Sequence, residues 1–189
     1  RQTGRGCDVD TCLFDVALHQ LSYAATWYLN EGEVSTRLPR SAHLAVAPVQ
    51  TFPTADGWIF VMCMTDKFWS ALLQGISRPD LASDPRFASR AARFAHREAL
   101  TQVLDAVFRG QPSSYWLSRL SGLLPVAPIH DLRQALENPF VARTGMVRST
   151  PHPDRPDFKV LASPVRIDGE RAVPAVCPPL DADRKSLLA

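Results

Sequence analysis

Leu13, Phe14, Ala17, Leu18, Leu21, Ala25, Tyr28 and Leu29 recur at spacings of one, three and four, so residues 11–30 predict a helix of more than four turns. Asp10 or Thr11 is placed to cap its start, and Gly32, after Asn30 and Glu31, to stop it. The apolar face is wide, and a wide apolar face has to be covered. Little that follows at once can do so: residues 33–44, VSTRLPRSAHLA, read as an extended linker in which Pro39 denies helix. The first element therefore needs a partner surface before the rest of the fold is considered.

The remainder reads as a mixed unit. AVAPVQTFPTADGWIFVMCM places two β-rich runs around Ala55, Asp56 and Gly57, a hairpin pattern in which Gly57 is expected to take the positive φ of a tight reversal. Thr65 or Asp66 begins a helix with Phe68, Trp69, Leu72, Leu73 and Ile76 on one side. Asp84 and Pro85 predict a second start, with helical character running to Gly110 behind a stripe of Leu100, Val103, Leu104, Val107 and Phe108. A shorter helix is expected from Ser113 or Ser114 to Gly122, and LLPVAPIHD is extended because Pro125 and Pro128 forbid helix. Asp131 then caps a short helix that stops at Asn138 and Pro139. Beyond residue 150 prolines crowd around two strands, FKVLASPVRI and a weaker AVPAV, split by Asp168 and Gly169, and DADRKSLLA predicts a small helix.

Composition narrows the function classes. With 189 residues, 46% of them hydrophobic, the chain buries a core without metals or disulfides. Cys7, Cys12, Cys63 and Cys177 form no CxxC pair and the five histidines stand apart, so neither a zinc site nor a disulfide framework is indicated, and free thiols are expected. A formal net charge of +2 with scattered arginines gives no field for nucleic acid or an anionic membrane. No run of about 18 apolar residues occurs, and no targeting segment is visible, which makes the cytoplasm the default location.

Several side chains are candidates for chemistry. Arg86, Arg90, Arg93 and Arg97, spaced four, three and four, would line one helix face, either a row that pairs with phosphates or carboxylates or, more simply, a solvated surface opposite Phe87 and Phe94. Asp15 lies one turn before His19, an acid/base couple or a polar helix edge. His43 follows Arg40 and Ser41 in the linker, where a loop could close over a ligand. His130 beside Asp131 reads as part of a helix cap. Gly4 to Gly6, GRG, lacks the other glycines and the lysine of a phosphate loop. No nucleophile elbow, HExxH or paired-carboxylate cluster occurs, so no catalytic residue is assigned within the chain.

The order of the pieces carries more. GRGCDVDTCLFDVAL, YLNEGE, RSAHLAVAPVQTFPTADGWIFV, KFWSALLQGISRPDLASDPRF, VAPIHDLRQAL and NPFVARTGMV follow one another as they do in family III coenzyme A transferases, which include formyl-CoA transferase, carnitine CoA-transferase and α-methylacyl-CoA racemase. The chain resembles that family from Gly4 to about Leu188. Cys7, Leu44 and Thr144 depart from its pattern, the first two at the turn and the loop near the substrate.

The resemblance implies an α/β fold: the C-terminal part of a Rossmann-like large domain plus a small α+β domain, in an interlocked homodimer. Residues 1–32 then end a large-domain segment, 33–47 are a linker, 48–146 form the small domain, and 147–189 return to the large domain. It also implies that GRG lies past the middle of a longer protein, with the catalytic Asp some twenty residues upstream of it and so before Arg1. The expected chemistry is transfer of coenzyme A between an acyl-CoA thioester and a carboxylic acid through an aspartyl intermediate. The alternatives are an acyl-CoA racemase of the same family and a truncated, non-catalytic interaction module. Coenzyme A enters as substrate, with no tightly bound cofactor. Leu13 matches a position lining the coenzyme pocket, and Arg40, Ser41 and His43 belong to a loop that closes over substrate in relatives.

Overall fold

The structure, a computed structural model, describes residues 4, 6, 8, 10–152 and 154–172. The chain divides into two compact units, Arg1–Ile129 and His130–Ala189. Cys7, Cys177, most of AVPAV and the DADRKSLLA helix lie outside the described residues. Among the described residues no helix is long and apolar enough to cross a membrane.

The first unit opens with α1, Leu13–Gln20, and α2, Ser22–Glu31, where the periodicity predicts a single helix. The break is at Ser22, whose φ of 50° leaves the helical region, while Gly32 ends α2 at φ 67° as anticipated. The cap is neither Asp10 nor Thr11: the Asp15 amide donates to Cys12 Sγ at 3.4 Å. A three-residue 3-10 turn, Pro39–Ser41, interrupts the linker.

The sheet is β1 (Val49–Pro53), β2 (Trp58–Met62) and β3 (Val126–Pro128), all antiparallel in that order. Pro53 and Pro128 sit on the two edge strands, where a missing N–H costs no ladder bond. The hairpin forms at the expected place, for another reason: Gly57 has no positive φ. Its turn is closed by the Thr54 amide on Gly57 O and by the Asp56 carboxylate, which accepts from Thr54 Oγ1 and from the Ser113 amide.

Four more helices belong to this unit: α3 (Asp66–Gly75), α4 (Arg90–Ala95), α5 (Arg97–Phe108) and α6 (Ser113–Leu120), with α5 packed on β1 and α6 beside β3, α4 on α5 and α3 on α6. Thr65 caps α3 as expected, accepting from the Phe68 amide. Residues 85–110 depart from the single helix expected of them. Asp84 spends its carboxylate on the Arg86 amide and guanidinium, Pro85 opens a turn, and Ser89 caps α4, which gives way to α5 at His96. The core collects Phe52, Ile59, Val61, Leu72, Phe87, Leu100, Leu104, Phe108, Trp116 and Leu120. Phe108 stands edge-on to Trp116 at 5.2 Å, and its carbonyl accepts the indole N–H, so the polar atom of a buried aromatic is paired.

The second unit holds α7 (Leu132–Leu136) and α8 (Pro139–Thr144), then two hairpins, β4 (Val147–Ser149) with β5 (Lys159–Leu161) and β6 (Arg166–Ile167) with β7 (Glu170–Arg171). Asp131 caps α7 in a full capping box with Gln134. Asn138 and Pro139 do end that helix, and they also begin α8. FKVLASPVRI is two strands rather than one, since residues 162–165 carry no strand and separate β5 from β6; Asp168 (φ 52°) and Gly169 (φ 84°) then turn β6 directly onto β7.

Candidate functional site

The linker loop Leu38 to Ala45 is fixed to one face of α5. Arg97, Thr101 and Asp105 are four apart, hence one above another on that helix. Arg40 crosses to Asp105 in a bidentate pair, Nη1 to Oδ1 at 2.5 Å and Nη2 to Oδ2 at 2.7 Å. Thr101 accepts from the buried Gln50 amide at 3.0 Å and donates to the Arg97 carbonyl. Arg97 Nη2 donates to the His43 carbonyl at 2.7 Å. From the sheet side, the His43 amide donates to Val49 O, and Thr51 Oγ1 to the Arg40 carbonyl. Arg40 and Ser41 take φ of 61° and 53°, a left-handed pair that non-glycine residues adopt only where contacts hold them.

Between loop and helix lies a pocket of about 280 Å³ lined by Arg40, Gln50, Arg97, Glu98, Thr101 and Gln102, with Leu38, Pro39 and Ala42 as its apolar wall. The bond to Asp105 raises the Arg40 pKa, and burial lowers that of Arg97. His43 is half-buried and shifted below the ordinary histidine value, first by burial and then by the positive charges of Arg90 and Arg97. Its ring stacks on Tyr23 of α2 at 5.7 Å and 16°.

Arg40, Ser41 and His43 lie on one loop, where Arg40 lines the pocket and Ser41 and His43 stand beside it, outside the lining. Leu13 lies on the first turn of α1, 90% exposed and likewise outside the pocket lining. The arginine row is not a row. Arg86 lies off the helices and pairs with Asp84, Arg93 is buried against Asp66 and the Phe87 carbonyl, and only Arg97 reaches the loop. The single helix face that both readings assume does not form: Arg86 precedes α4, Arg93 is buried, and α4 gives way to α5 at His96, although Arg86 and Arg90 are exposed as the solvated reading has them. Asp15 and His19 stay on an exposed helix edge. Tyr23, Thr101 and Asp105 are the residues that sequence reasoning missed; the spacing of four from Arg97 through Thr101 to Asp105 was the available signal.

This order of hairpin, helices and loop has known counterparts. A family model described as CoA-transferase family III matches residues 1–184. The chain belongs to CoA-transferase family III. Among family relatives, the acetyl-CoA:oxalate CoA-transferase of Acetobacter aceti is 31% identical over 147 residues, 77% of this chain and 38% of that protein. The succinyl-CoA:mesaconate CoA-transferase of Haloarcula marismortui is 28% identical over 99% of this chain and 47% of its own length. A crystal structure of a CAIB/BAIF family protein from Brucella suis superposes with a TM-score of 0.78 at 28% identity, covering 99% of this chain and 48% of that one. The chain thus spans about half the length of the family III proteins it matches, and it carries their α/β architecture.

Proposed function

We propose that this chain is the C-terminal portion of a CoA-transferase that moves coenzyme A from an acyl-CoA thioester to a carboxylic acid. The observation that carries this reading is the match to CoA-transferase family III over residues 1–184, with relatives named as CoA-transferases. In the proposed reaction an aspartate contributed by a segment N-terminal to Arg1 attacks the thioester carbonyl, giving a mixed anhydride and the coenzyme A thiolate. The thiolate attacks the anhydride at the aspartyl carbonyl, forming aspartyl-CoA and releasing the donor acid. The acceptor carboxylate then repeats the sequence in reverse and leaves with the coenzyme. This chain supplies scaffold and pocket wall: the Arg40, Ser41 and His43 loop beside the acyl group, and Leu13 along the coenzyme. The same reading places 48–146 as the small domain of a cytoplasmic homodimer with no tightly bound cofactor.

The test is exchange between an acyl-CoA and a panel of carboxylic acids, followed by mass spectrometry, with this chain alone and coexpressed with the N-terminal portion. Exchange is expected only with both parts, with hydroxylamine trapping an aspartyl hydroxamate on the N-terminal part. Exchange by the chain alone, or transfer without any trapped aspartyl species, overturns the reading.

A further inference from the structure

We propose that His43 is a neutral imidazole whose Nε2–H donates to a carbonyl or carboxylate oxygen of the substrate, positioned by Tyr23 and Arg97. The identity of that oxygen rests on the CoA-transfer reading; the state of the ring does not.

The Ala45 amide points at ring atom Nδ1 from 3.0 Å. An N–H aimed at an imidazole edge needs a lone pair, which only an unprotonated ring nitrogen supplies. The reverse ring orientation sets a C–H against that N–H and forfeits the bond. Protonating Nδ1 sets two donors head to head. The proton of the neutral ring therefore sits on Nε2.

The surroundings act in the same direction. Among the described residues the charged groups that act on the ring are Arg90 of α4 and Arg97 of α5, both cationic, and the aromatic face of Tyr23 covers one side without adding charge. The ring cannot swing to another environment through its backbone, because the His43 amide and carbonyl are both bound, to Val49 O and by Arg97 Nη2. Nε2 has no partner among the described residues and is not among the buried orphan atoms, so it is open to an incoming group.

Such a group acts in one way. With Nδ1 occupied and Nε2 protonated, His43 has no free lone pair to serve as a general base. What it offers is a fixed N–H, and the oxygens that gain or carry charge during thioester exchange, the thioester carbonyl and the acceptor carboxylate, are its natural partners. Arg97 serves as a positioning residue with two effects: it holds the carbonyl that fixes the ring, and its charge opposes protonation.

The test begins with the substrate-free chain labelled with 15N-histidine, His43 being assigned by the signal lost in His43→Gln. At pH 7 a pyridine-like Nδ1 and a pyrrole-like Nε2 are expected, with protonation only at a pH below the ordinary value of 6.5. A protonated ring at pH 7, or the proton on Nδ1, overturns the proposal. Arg97→Gln is expected to raise the His43 midpoint and mix the tautomers with the circular dichroism unchanged; unmoved ring signals remove Arg97 from the positioning role.

In the CoA-exchanging assembly, the amide nitrogen of a glutamine reaches the place of Nε2 and that of an asparagine does not. His43→Gln is therefore expected to keep kcat within about tenfold and His43→Asn to lose roughly a hundredfold or more, the scale of one missing oxyanion donor. Equal rates for the two variants overturn the donor role. A wild-type assembly that exchanges no CoA overturns the transfer reading instead, and the ring spectrum then decides the histidine's state by itself.

Discussion

Arg40 is strained in its backbone and anchored at its tip, and the two facts belong together. A left-handed arginine followed by a left-handed serine costs free energy, which the bidentate pair with Asp105 and the Thr51 bond to the Arg40 carbonyl offset. Asp105→Asn is expected to destabilise the protein by about 2 kcal/mol, the range for hydrogen bonds to a charged group, measured as a lowered midpoint in urea at unchanged slope. An unshifted midpoint would show that the loop holds its shape without the pair. At Cys63 burial pushes the thiol up to about 12 against the opposing charge of Arg93, so alkylation of that residue should follow global unfolding while exposed Cys12 reacts in the native protein, as peptide mapping will read. His43 contributes to the pH dependence in the opposite sense from a salt-bridged histidine. Its folded pKa lies below 6.5, so the unfolded chain binds the proton first and stability is lost as pH falls through that region. His43→Gln should flatten the stability curve just below pH 6.5. The curve at lower pH, where Asp56, Asp80 and Asp84 have depressed values and lose their bonds on protonation, should keep its shape.

At the scale of elements, the crossing of α3 and α6 turns on Gly75. A Cβ there would stand 2.4 Å from Leu120 Cδ2, and Leu120 is fully buried, with no room to move aside. Alanine normally gains about 1 kcal/mol over glycine within a helix, but overpacking costs about 1–3 kcal/mol, so Gly75→Ala should be net destabilising. Combining it with Leu120→Val should cost less than the sum of the single changes, and strict additivity in thermal melts would refute the contact. The elements legible from sequence are those whose signal is local: Thr65 before α3, Asp131 with Gln134 on α7, and the two apolar runs of the hairpin. Those that are not depend on contacts distant in sequence. Arg93 leaves the surface because Asp66 and the Phe87 carbonyl receive it, and α4 parts from α5 at His96. Arg40 finds a partner 65 residues away, a pairing no window of sequence displays. Asp168 and Gly169 read in the sequence as a divider between strands, whereas two consecutive positive φ values make them the turn that joins β6 to β7.

At the scale of the molecule, the apolar face that the opening periodicity describes is carried on two helices, α1 and α2, and the described residues leave most of it uncovered. Neither helix has a buried residue, and Leu13, Phe14 and Leu29 are at least 70% exposed. An apolar groove of about 770 Å³ runs between Leu18, Leu21, Ala25, Tyr28, Leu29 and Val34. Water penalises such a surface, so at rising concentration this chain should self-associate, and sedimentation velocity should show a weight-average mass that grows with loading. Leu21→Glu together with Leu29→Glu removes two side chains worth about 1.5–3 kcal/mol each when fully buried, enough to weaken association by roughly a hundredfold or more. Because both side chains are exposed in the single chain, the double variant should change unfolding stability by no more than about 0.5 kcal/mol. That separation gives the prediction its content. Loss of association together with loss of folding would place Leu21 and Leu29 in the monomer's own core, and association undiminished in a folded double variant would move the adhesive surface away from these helices.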